Sequence, residues 1–370
     1  MQEYKKTLFL RHAKIQFNMK FARFILIFIV FISVLASCST DVNMYAEYKD
    51  VAIIYAMLNP RSDTNYVKIT RAFCGSNDNL INANEVALIY DSSNYPGKLD
   101  VRIIELKNTH GGPYEPTNRE IVLDTMTIHN KQEGTFYAPH QLVYYTTEQF
   151  NAGANGSKYK YRLVIVKPDG DTVTAQTSMV GNEEFAIVSG STNFQMEHTD
   201  DLGKILFKAD GSASLYDVQI QFNYREQLAG QEMKWKHVSR SFGTKPLYDF
   251  PKVDNTENTY YQEYSLNWLF NALANAIGGD TIVNPNHPNV VRYFDDFVIS
   301  ISAGGDELNY YYIANQVQLN SPIALISTYT NITGGYGLFS SRTTIEKKTR
   351  LSSSALRDLY GKESWGFKDH

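Results

Sequence analysis

The sequence predicts a mostly β protein with two packed β-sandwich-like regions, the second of which carries one firm α-helix and a short C-terminal helix. Short runs rich in β-branched and aromatic residues follow one another closely, with Gly, Pro, Asn and Asp clustered between them. Helical spacing of apolar residues is clear only at about 265–277. The chain of 370 residues is long enough for two domains, which we place at 51–182 (an Ig-like β-sandwich) and 183–370.

Eight strand-like runs, separated by turn signals, predict the first region. They are VAIIYAML (51–58), NYVKITRAF (65–73), EVALIY (85–90), LDVRIIEL (99–106), EIVLDTMTI (120–128), TFYAPHQLVYY (135–145), KYKYRLVIV (158–166) and DTVTAQTSMV (171–180). The last two flank an Asp-Gly turn and are expected to form a hairpin, so we interpret Asp169, Gly170 and Asp171 as turn residues.

The second region is predicted from further strand-like runs and two helices. The strand-like runs are FAIVSGSTNFQM, KILFKADGS, SLYDVQIQFNYRE, EMKWKHVSRSF, FDDFVISISAG and ELNYYYIANQV (307–317). In SLYDVQIQFNYRE, apolar residues from Leu215 to Tyr224 mostly alternate with polar ones, which indicates one dry face.

The firm helix is predicted from apolar residues at helical spacing, namely Leu266, Leu269, Phe270, Leu273 and Ile277. Ser265 is the expected N-cap, and Gly278 is expected to end the helix. The run SSSALRDLYG (352–361) predicts the short C-terminal helix.

The N-terminal segment 19–37 is typical of a short signal peptide. Lys20 and Arg23 precede an apolar run from Phe24 to Val34, which is shorter than the roughly 20 residues of a spanning helix. The following Leu-Ala-Ser-Cys, ending at Cys38, resembles the lipobox of bacterial lipoproteins. That resemblance implies a lipid on the Cys38 sulfur and cleavage just before it. An uncleaved anchor helix is the alternative.

The residues around the signal peptide complete the predicted N-terminal organisation. Residues 1–18 are interpreted as an upstream start-site extension, because Met19-Lys20 is the more natural start of a signal peptide. Residues 38–50 form a short polar tether. The chain has two cysteines, and Cys74 is expected to be a small buried residue, with a disulfide to Cys38 as the competing prediction.

Composition and motifs exclude several function classes. The formal net charge of −4 gives no basic field for nucleic acid, and no CxxC pair, HExxH or GxSxG is present. No two of the eight histidines share an i, i+4 helical face, so no metal site or cofactor is predicted. The acidic pairs Asp295-Asp296 and Asp306-Glu307 could serve hydrolysis in a cleft or bind calcium, but solvated turn residues are the interpretation we favour.

Two stretches of the mature chain carry a further resemblance. They are YKDVAIIYAMLNPRSDTNYVKITRAF near the start and, near the end, the residues Asn331, Ile332, Gly334, Gly335, Gly337, Phe339, Ser341 and Arg342. Together they resemble a family of Bacteroidota outer-membrane lipoproteins of unknown function, whose members commonly accompany TonB-dependent transporters. The resemblance implies nutrient uptake or surface organisation and brings no catalytic residues. Gly334, Gly335 and Gly337 predict a tight turn or bulge of the backbone rather than a phosphate-binding loop.

Aromatic side chains are the ligand-binding candidates. Consecutive tyrosines on a predicted strand point to both faces, so at least one face of the Tyr310–Tyr312 run should be exposed. An exposed ring could stack on a sugar or cover a partner, whereas the alternative is that both faces are buried. The candidate residues are Tyr260, Tyr261, Trp268, Tyr310, Tyr311 and Tyr312.

These observations favour a non-enzymatic accessory protein, lipid-anchored in the outer membrane, that binds a ligand or partner beside a TonB-dependent transporter. The sequence leaves open whether it faces the periplasm or the cell surface. A structural or assembly lipoprotein of the envelope without a small ligand is the second hypothesis. A hydrolase using paired carboxylates is the third.

Overall fold

The computed structural model of the chain describes residues 50–72, 88–109, 111–129, 132, 139–154, 157–189, 202–278, 290–320 and 329–369. The chain is mostly β, with 54% strand and 16% helix, which confirms the predicted class. The lipidation candidate Cys38, the predicted signal peptide and Cys74 lie outside the described residues. No helix within the described ranges is long and apolar enough to cross a bilayer.

The described residues contain short and long strands and four helices. The strands are β1 (Ala52–Leu58), β2 (Asn65–Arg71), β3 (Asp100–Thr109), β4 (Glu115–Val122), β5 (Asp124–Ile128), β6 (Gln141–Thr146), β7 (Ser157–Val166), β8 (Thr172–Ser178), β9 (Ala186–Ile187), β10 (Leu202–Lys208), β11 (Leu215–Leu228), β12 (Lys234–Pro246), β13 (Thr259–Ser265), β14 (Val290–Gly304), β15 (Ile332–Thr333), β16 (Gly335–Thr349) and β17 (Phe367–Lys368). The helices are α1 (Tyr90–Ser93), α2 (Trp268–Gly278), α3 (Asp306–Asn320) and α4 (Ser353–Gly361).

These strands form three sheets. A nine-stranded sheet has the order β12-β11-β14-β16-β1-β2-β6-β5, with β17 paired to β14. A five-stranded sheet has the order β15-β8-β7-β3-β4, and a three-stranded sheet has the order β13-β10-β9. The first half of β16 runs parallel to β1, whereas its second half is antiparallel to β14. Strand β16 therefore joins the two sequence regions within one sheet.

Two hydrophobic cores lie on the two sides of this junction. The first core combines β1 and β2 with the five-stranded sheet, through residues such as Ile54, Ile103 and Leu163, each with no exposed surface. The second core combines β11 and β14 with β10 and the helices α2 and α4. Each fully buried side chain of this size contributes about 1.5–3 kcal/mol. Phe339 of β16 belongs to the first core although it lies beyond residue 182, and the division into 51–182 and 183–370 stays a prediction.

The hairpin of β7 and β8 and both predicted helices are present. The five apolar residues that predict the firm helix are all buried in the second core, and four of them lie within the helix. The helix begins at Trp268 rather than Ser265, because Ser265 still pairs with Leu202 in the ladder between β13 and β10. In α4, the Ser352 hydroxyl accepts a hydrogen bond from the Ala355 backbone N–H at 3.2 Å, which caps the helix.

The strand prediction for residues 307–317 is wrong, because this run lies in helix α3. The local tyrosine run favours a strand, but β propensity depends strongly on tertiary context. Asp306 and Glu307 occupy the first turn, where their negative charges complement the helix dipole. A Cβ on Gly304 would lie only 2.6 Å from the Leu308 Cδ2 atom, so the helix packs directly on the end of β14.

Two more strand predictions are corrected. The run 120–128 forms two strands rather than one, since β4 belongs to the five-stranded sheet and β5 to the nine-stranded sheet. Leu123, buried between them, lies where the chain passes from one sheet to the other. In the run 85–90, the described residues 88–90 are not a strand, because Tyr90 begins the single turn α1.

Candidate functional site

A cavity of about 380 Å³ lies between helix α3 and the nine-stranded sheet, and we name it the α3 cavity. Leu308, Tyr311, Tyr312 and Asn315 of α3 line one side of it. Residues of β11, β12, β14 and β16, among them Arg342, line the rest. A volume of this size, with apolar rings and a few polar groups, is typical of sites for small molecules.

Hydrogen bonds from Tyr312 fix α3 over the sheet. The Tyr312 hydroxyl donates to the backbone carbonyl of Thr244, on β12, at 2.6 Å. It also accepts from the Gln316 amide at 2.7 Å. Asn315 donates to the Tyr311 carbonyl at 2.8 Å, within the helix itself. The helix wall of the cavity is thereby tied to the edge of the sheet by Tyr312, which also lines the cavity.

Arg342 is the positive charge of the α3 cavity. It lies on β16, is exposed, and donates from Nη2 to the Ser302 hydroxyl at 3.2 Å. With the residues that the structure describes, Arg342 makes no salt bridge. The guanidinium keeps donors available to an anion, since it carries five N–H groups in a planar fork.

A second cavity of about 620 Å³, which we name the β1 cavity, is formed on β1, β2 and β16. Its aromatic residues are Tyr55 and Tyr66, which are 45% and 46% exposed. Lys68 and Arg342 bring positive charge to its lining. Because Arg342 lines both cavities, the two are adjacent.

Tyr55 and Tyr311 connect the walls of the two cavities. Tyr55 lines the β1 cavity, Tyr311 lines the α3 cavity, and the two side chains are close enough to interact. Burial raises the pKa of Tyr55, and the neighbouring Tyr311 raises it further, so the Tyr55 hydroxyl stays protonated near neutral pH. This hydroxyl can then donate one hydrogen bond and still accept another.

The first turn of α3 contains a half-buried carboxyl group, Glu307. Burial raises the pKa of Glu307, although it accepts hydrogen bonds from a backbone N–H and, at 2.8 Å, from the Thr177 hydroxyl. A side chain on Gly305 would contact both Glu307 Oε2 and the hydroxyl oxygen of Ser340, which itself has no hydrogen-bond partner among the described residues. Glu307 and Ser340 therefore lie close together beneath the start of α3.

Two of the predicted tyrosines, Tyr311 and Tyr312, line the α3 cavity, and the third of the run does not. Tyr310 is 54% exposed, and its ring centroid lies 5.6 Å from that of Tyr329. The pKa of Tyr329 is raised to about 12, first by burial and then by the nearby Glu307. The exposed face was predicted for a strand. In the helix, successive side chains are rotated by 100° about the axis, so Tyr310 lies away from the cavity that Tyr311 and Tyr312 line.

The other aromatic candidates lie on or beside the three-stranded sheet. The Tyr260 ring stacks at 6.2 Å from that of Phe207 in the second core. The Lys204 ammonium lies 4.1 Å from the centre of the Tyr261 ring. Trp268 packs against the second core from the start of α2. None of the three lines the α3 or β1 cavity.

The C-terminal residues that carry the family resemblance mostly build the junction at β16. Asn331 donates from Nδ2 to the Phe339 carbonyl at 2.7 Å and accepts from the Phe339 N–H at 3.0 Å. The Ser341 hydroxyl donates to the Ser178 carbonyl at 2.6 Å. An added Cβ on Gly337 would lie 1.9 Å from the Ile54 carbonyl oxygen. Only Arg342 of this set lines the cavities.

The acidic pair Asp295-Asp296 is held by cations and an amide in the structure. Asp296 accepts from the Asn223 amide at 2.7 Å and pairs with Lys348 at 2.8 Å, and Asp295 lies 3.8 Å from Arg225. Neither aspartate lines either cavity. Within the described ranges, no group of three or more His, Cys, Asp or Glu residues is arranged to hold a metal ion.

Sequence reasoning missed Tyr55, Tyr66 and the site role of Arg342. Tyr55 stands in a strand whose other side chains are all apolar, so composition does not mark it as exposed, whereas Tyr66 shares the exposed face of β2 with Lys68. Alternation alone assigns Tyr55 to the face opposite Ile54 and Ala56, and this was the available signal. No protein-family model matches the chain, and no curated protein sequence matches it significantly.

Proposed function

We propose that the chain is a lipid-anchored outer-membrane protein that binds a ligand in the α3 cavity as an accessory to a TonB-dependent transporter. The α3 cavity is the observation that carries the binding role. It combines the rings of Tyr311 and Tyr312 with Leu308, the Asn315 amide and the Arg342 guanidinium. A ligand with an apolar face and polar edges fits such a lining.

We infer the lipid anchor from the sequence Leu-Ala-Ser-Cys, ending at Cys38, which resembles a lipobox. Two or three acyl chains would hold the protein firmly, because each buried methylene contributes about 0.8 kcal/mol and a single chain is marginal. Replacing Cys38 by Ala is expected to move the protein from the membrane to the soluble fraction. Persistence of the variant in the membrane fraction would show that another element anchors it.

Ligand capture tests the binding role directly. The full-length protein, purified in mild detergent, is incubated with the small-molecule fraction of spent culture medium and analysed by native mass spectrometry. Asn315→Trp fills the α3 cavity from the helix and should abolish the captured mass. Tyr310→Ala serves as the matched control, because Tyr310 belongs to the same helix but does not line the cavity. Equal capture by both variants would contradict the proposal.

Affinity purification tests the accessory role. The tagged protein is extracted from membranes in mild detergent, and the co-purifying proteins are identified. A TonB-dependent transporter is expected among them at near-stoichiometric amount. Recovery of the protein alone would count against the accessory role while leaving ligand binding to be judged by the capture experiment.

A further inference from the structure

We propose that the α3 and β1 cavities together bind an acidic oligosaccharide, whose carboxylate pairs with Arg342. The inference rests on the proposed ligand-binding function and names the ligand class for the same site. It is carried by three features of the site, namely the adjacency of the two cavities, the chemistry of their walls and their charge.

Adjacency gives the site room for more than one ring. Arg342 lines both the α3 cavity of about 380 Å³ and the β1 cavity of about 620 Å³. The neighbouring side chains of Tyr55, in the β1 cavity, and Tyr311, in the α3 cavity, connect their walls. A ligand that crosses this pair therefore places Arg342 near its middle and has one part in each cavity.

The walls offer ring faces and short polar groups. Tyr55 and Tyr66 line one cavity and Tyr311 and Tyr312 the other. The C–H face of a pyranose ring is apolar and stacks on an aromatic face, while its hydroxyls both donate and accept hydrogen bonds. The hydroxyl and amide groups that alternate with the tyrosines suit such edges. They include Ser62, Thr64, Thr244, Ser302, Asn315 and Thr344.

A peptide strand has no comparable means of attachment at this site. Strand addition requires a free sheet edge with unpaired backbone groups. Here the cavities are lined mainly from the face of the sheet, and at the edge strand β12 the Thr244 carbonyl already accepts a hydrogen bond from Tyr312. Recognition is therefore expected to come mainly from side chains, among which are tyrosines, hydroxyls and amides.

The charges in the lining favour an anion. Arg342 and Lys68 are cationic, and Asp217 is the only acidic residue among the described residues that line the two cavities. Both Asp217 oxygens are occupied, since Oδ2 accepts from Thr244 at 2.8 Å and Oδ1 accepts from Gln219 at 3.0 Å. A carboxylate can receive two parallel N–H bonds from the fork of Arg342.

Calorimetric titration of the full-length protein in detergent tests the inference. The acidic probes are hexamers of galacturonate, mannuronate and hyaluronan, and the controls are the same hexamers with their carboxyl groups reduced to neutral alcohols. At least one acidic hexamer should bind about tenfold or more tightly than its neutral counterpart, as a charged hydrogen bond requires. Added salt should reduce that preference.

Variants assign the preference to Arg342. Arg342→Gln should abolish the difference between the acidic and neutral hexamers, whereas Arg342→Lys should keep part of it, because charge remains and the planar fork is lost. Arg357→Gln is the matched control, since Arg357 is exposed on α4 and lines neither cavity. Tyr66→Ala should weaken binding of acidic and neutral hexamers by the same factor.

The outcomes separate this inference from the proposed function. If neutral hexamers bind as tightly as acidic ones and Arg342→Gln changes nothing, while Asn315→Trp still abolishes binding, the cavity is a ligand site and the acidic class is wrong. If no hexamer binds but the captured ligand is another type of molecule, the oligosaccharide class is wrong. If Asn315→Trp affects neither capture nor titration, both proposals fail.

Discussion

At the scale of single residues, Gly337 at the β16 junction and Arg292 on β14 each make contacts that depend on their residue type. Gly337 adopts a φ of 117°, and an added Cβ would lie 1.9 Å from the Ile54 carbonyl oxygen. Arg292 is only 1% exposed, donates from Nε to Glu226 at 2.7 Å and donates from Nη1 to the Trp365 carbonyl at 2.6 Å. The first residue permits close strand pairing, and the second ties the C-terminal segment to β11 and β14.

Replacing Gly337 by Ala should lower the free energy of unfolding by about 2–5 kcal/mol. Left-handed strain contributes about 1–2 kcal/mol, and the clash with the β1 backbone adds overpacking of about 1–3 kcal/mol. Urea unfolding followed by circular dichroism measures the change. Gly170→Ala is the matched control, because Gly170 has a φ of 88° but nothing within 4 Å of an added Cβ. Equal losses in both variants would contradict the close-approach argument.

Replacing Arg292 by Ala should destabilise the protein by about 3–5 kcal/mol, because Glu226 would lose a buried partner. Lys236, whose ammonium lies 2.6 Å from Glu226 Oε1, cannot supply the second set of contacts. Thermal unfolding by calorimetry is the measurement. Arg102→Ala should change little, since the salt bridges of Arg102 to Asp100 and Glu120 are exposed. A small effect at Arg292 would mean that water or Lys236 compensates.

At the scale of elements, helix α3 is where local preference and tertiary structure disagree most. Its tyrosine run favours a strand, yet the acidic first turn, the packing of Leu308 on Gly304 and the bond from Tyr312 to Thr244 all favour the helix. The helix forms one wall of the α3 cavity, so the candidate site exists only because this segment is helical.

Protonation of Glu307 should stabilise the region around α3. The pKa of Glu307 is raised by burial and by Asp306, against the opposing influence of Lys160. Because the folded pKa lies above the unfolded value, its contribution to stability is fully present below about pH 4.3. That contribution is then lost as the pH rises through the folded pKa.

The difference in unfolding free energy between the wild type and Glu307→Gln isolates this contribution. Chemical denaturation at intervals between pH 4 and pH 8 should show the wild type losing stability relative to the variant as the pH rises. Glu346→Gln provides the control, since Glu346 is an exposed carboxyl group of β16. A difference that stays constant with pH, or that changes in the opposite direction, would contradict the prediction.

At the scale of the whole molecule, β16 makes the two regions interdependent. Its first half completes the first core through Phe339, and its second half carries Ile345 into the second core. Asn331 and Ser341 add hydrogen bonds from the C-terminal part of the chain to β8 and the loop that follows it. The first core and the pairing of β1 are therefore completed by residues near the end of the sequence.

A fragment of residues 51–182 should not fold cooperatively by itself. Without β16, the edge of β1 is unpaired and the first core loses Phe339, whose removal alone would cost about 3–5 kcal/mol as a change to alanine. The dispersion of chemical shifts in the proton NMR spectrum and the cooperativity of urea unfolding show whether the fragment folds. A fragment in which residues 330–342 are joined after residue 182 by a flexible linker is the control and should recover structure. Cooperative folding of the shorter fragment would show that the first region is autonomous.

Sequence reasoning was most successful where the signal is local. Alternation in β11 and the hairpin of β7 and β8 are readable from neighbouring residues, as are the spacing of α2 and the Ser352 cap of α4. It failed where the outcome depends on distant partners. The break at Leu123 is decided by two different sheets, and the exposure of Tyr55 is decided by what β16 places beside it.

The sequence by itself determined the mostly β class and the helices α2 and α4, because composition, alternation and helical spacing are properties of a few neighbouring residues. Only the tertiary structure decided that 307–317 is a helix, that β1 pairs with β16, and that Tyr55, Tyr311 and Arg342 share one site. These choices depend on packing energy between segments that are far apart in the chain, which outweighs local propensity and leaves little trace in any short stretch.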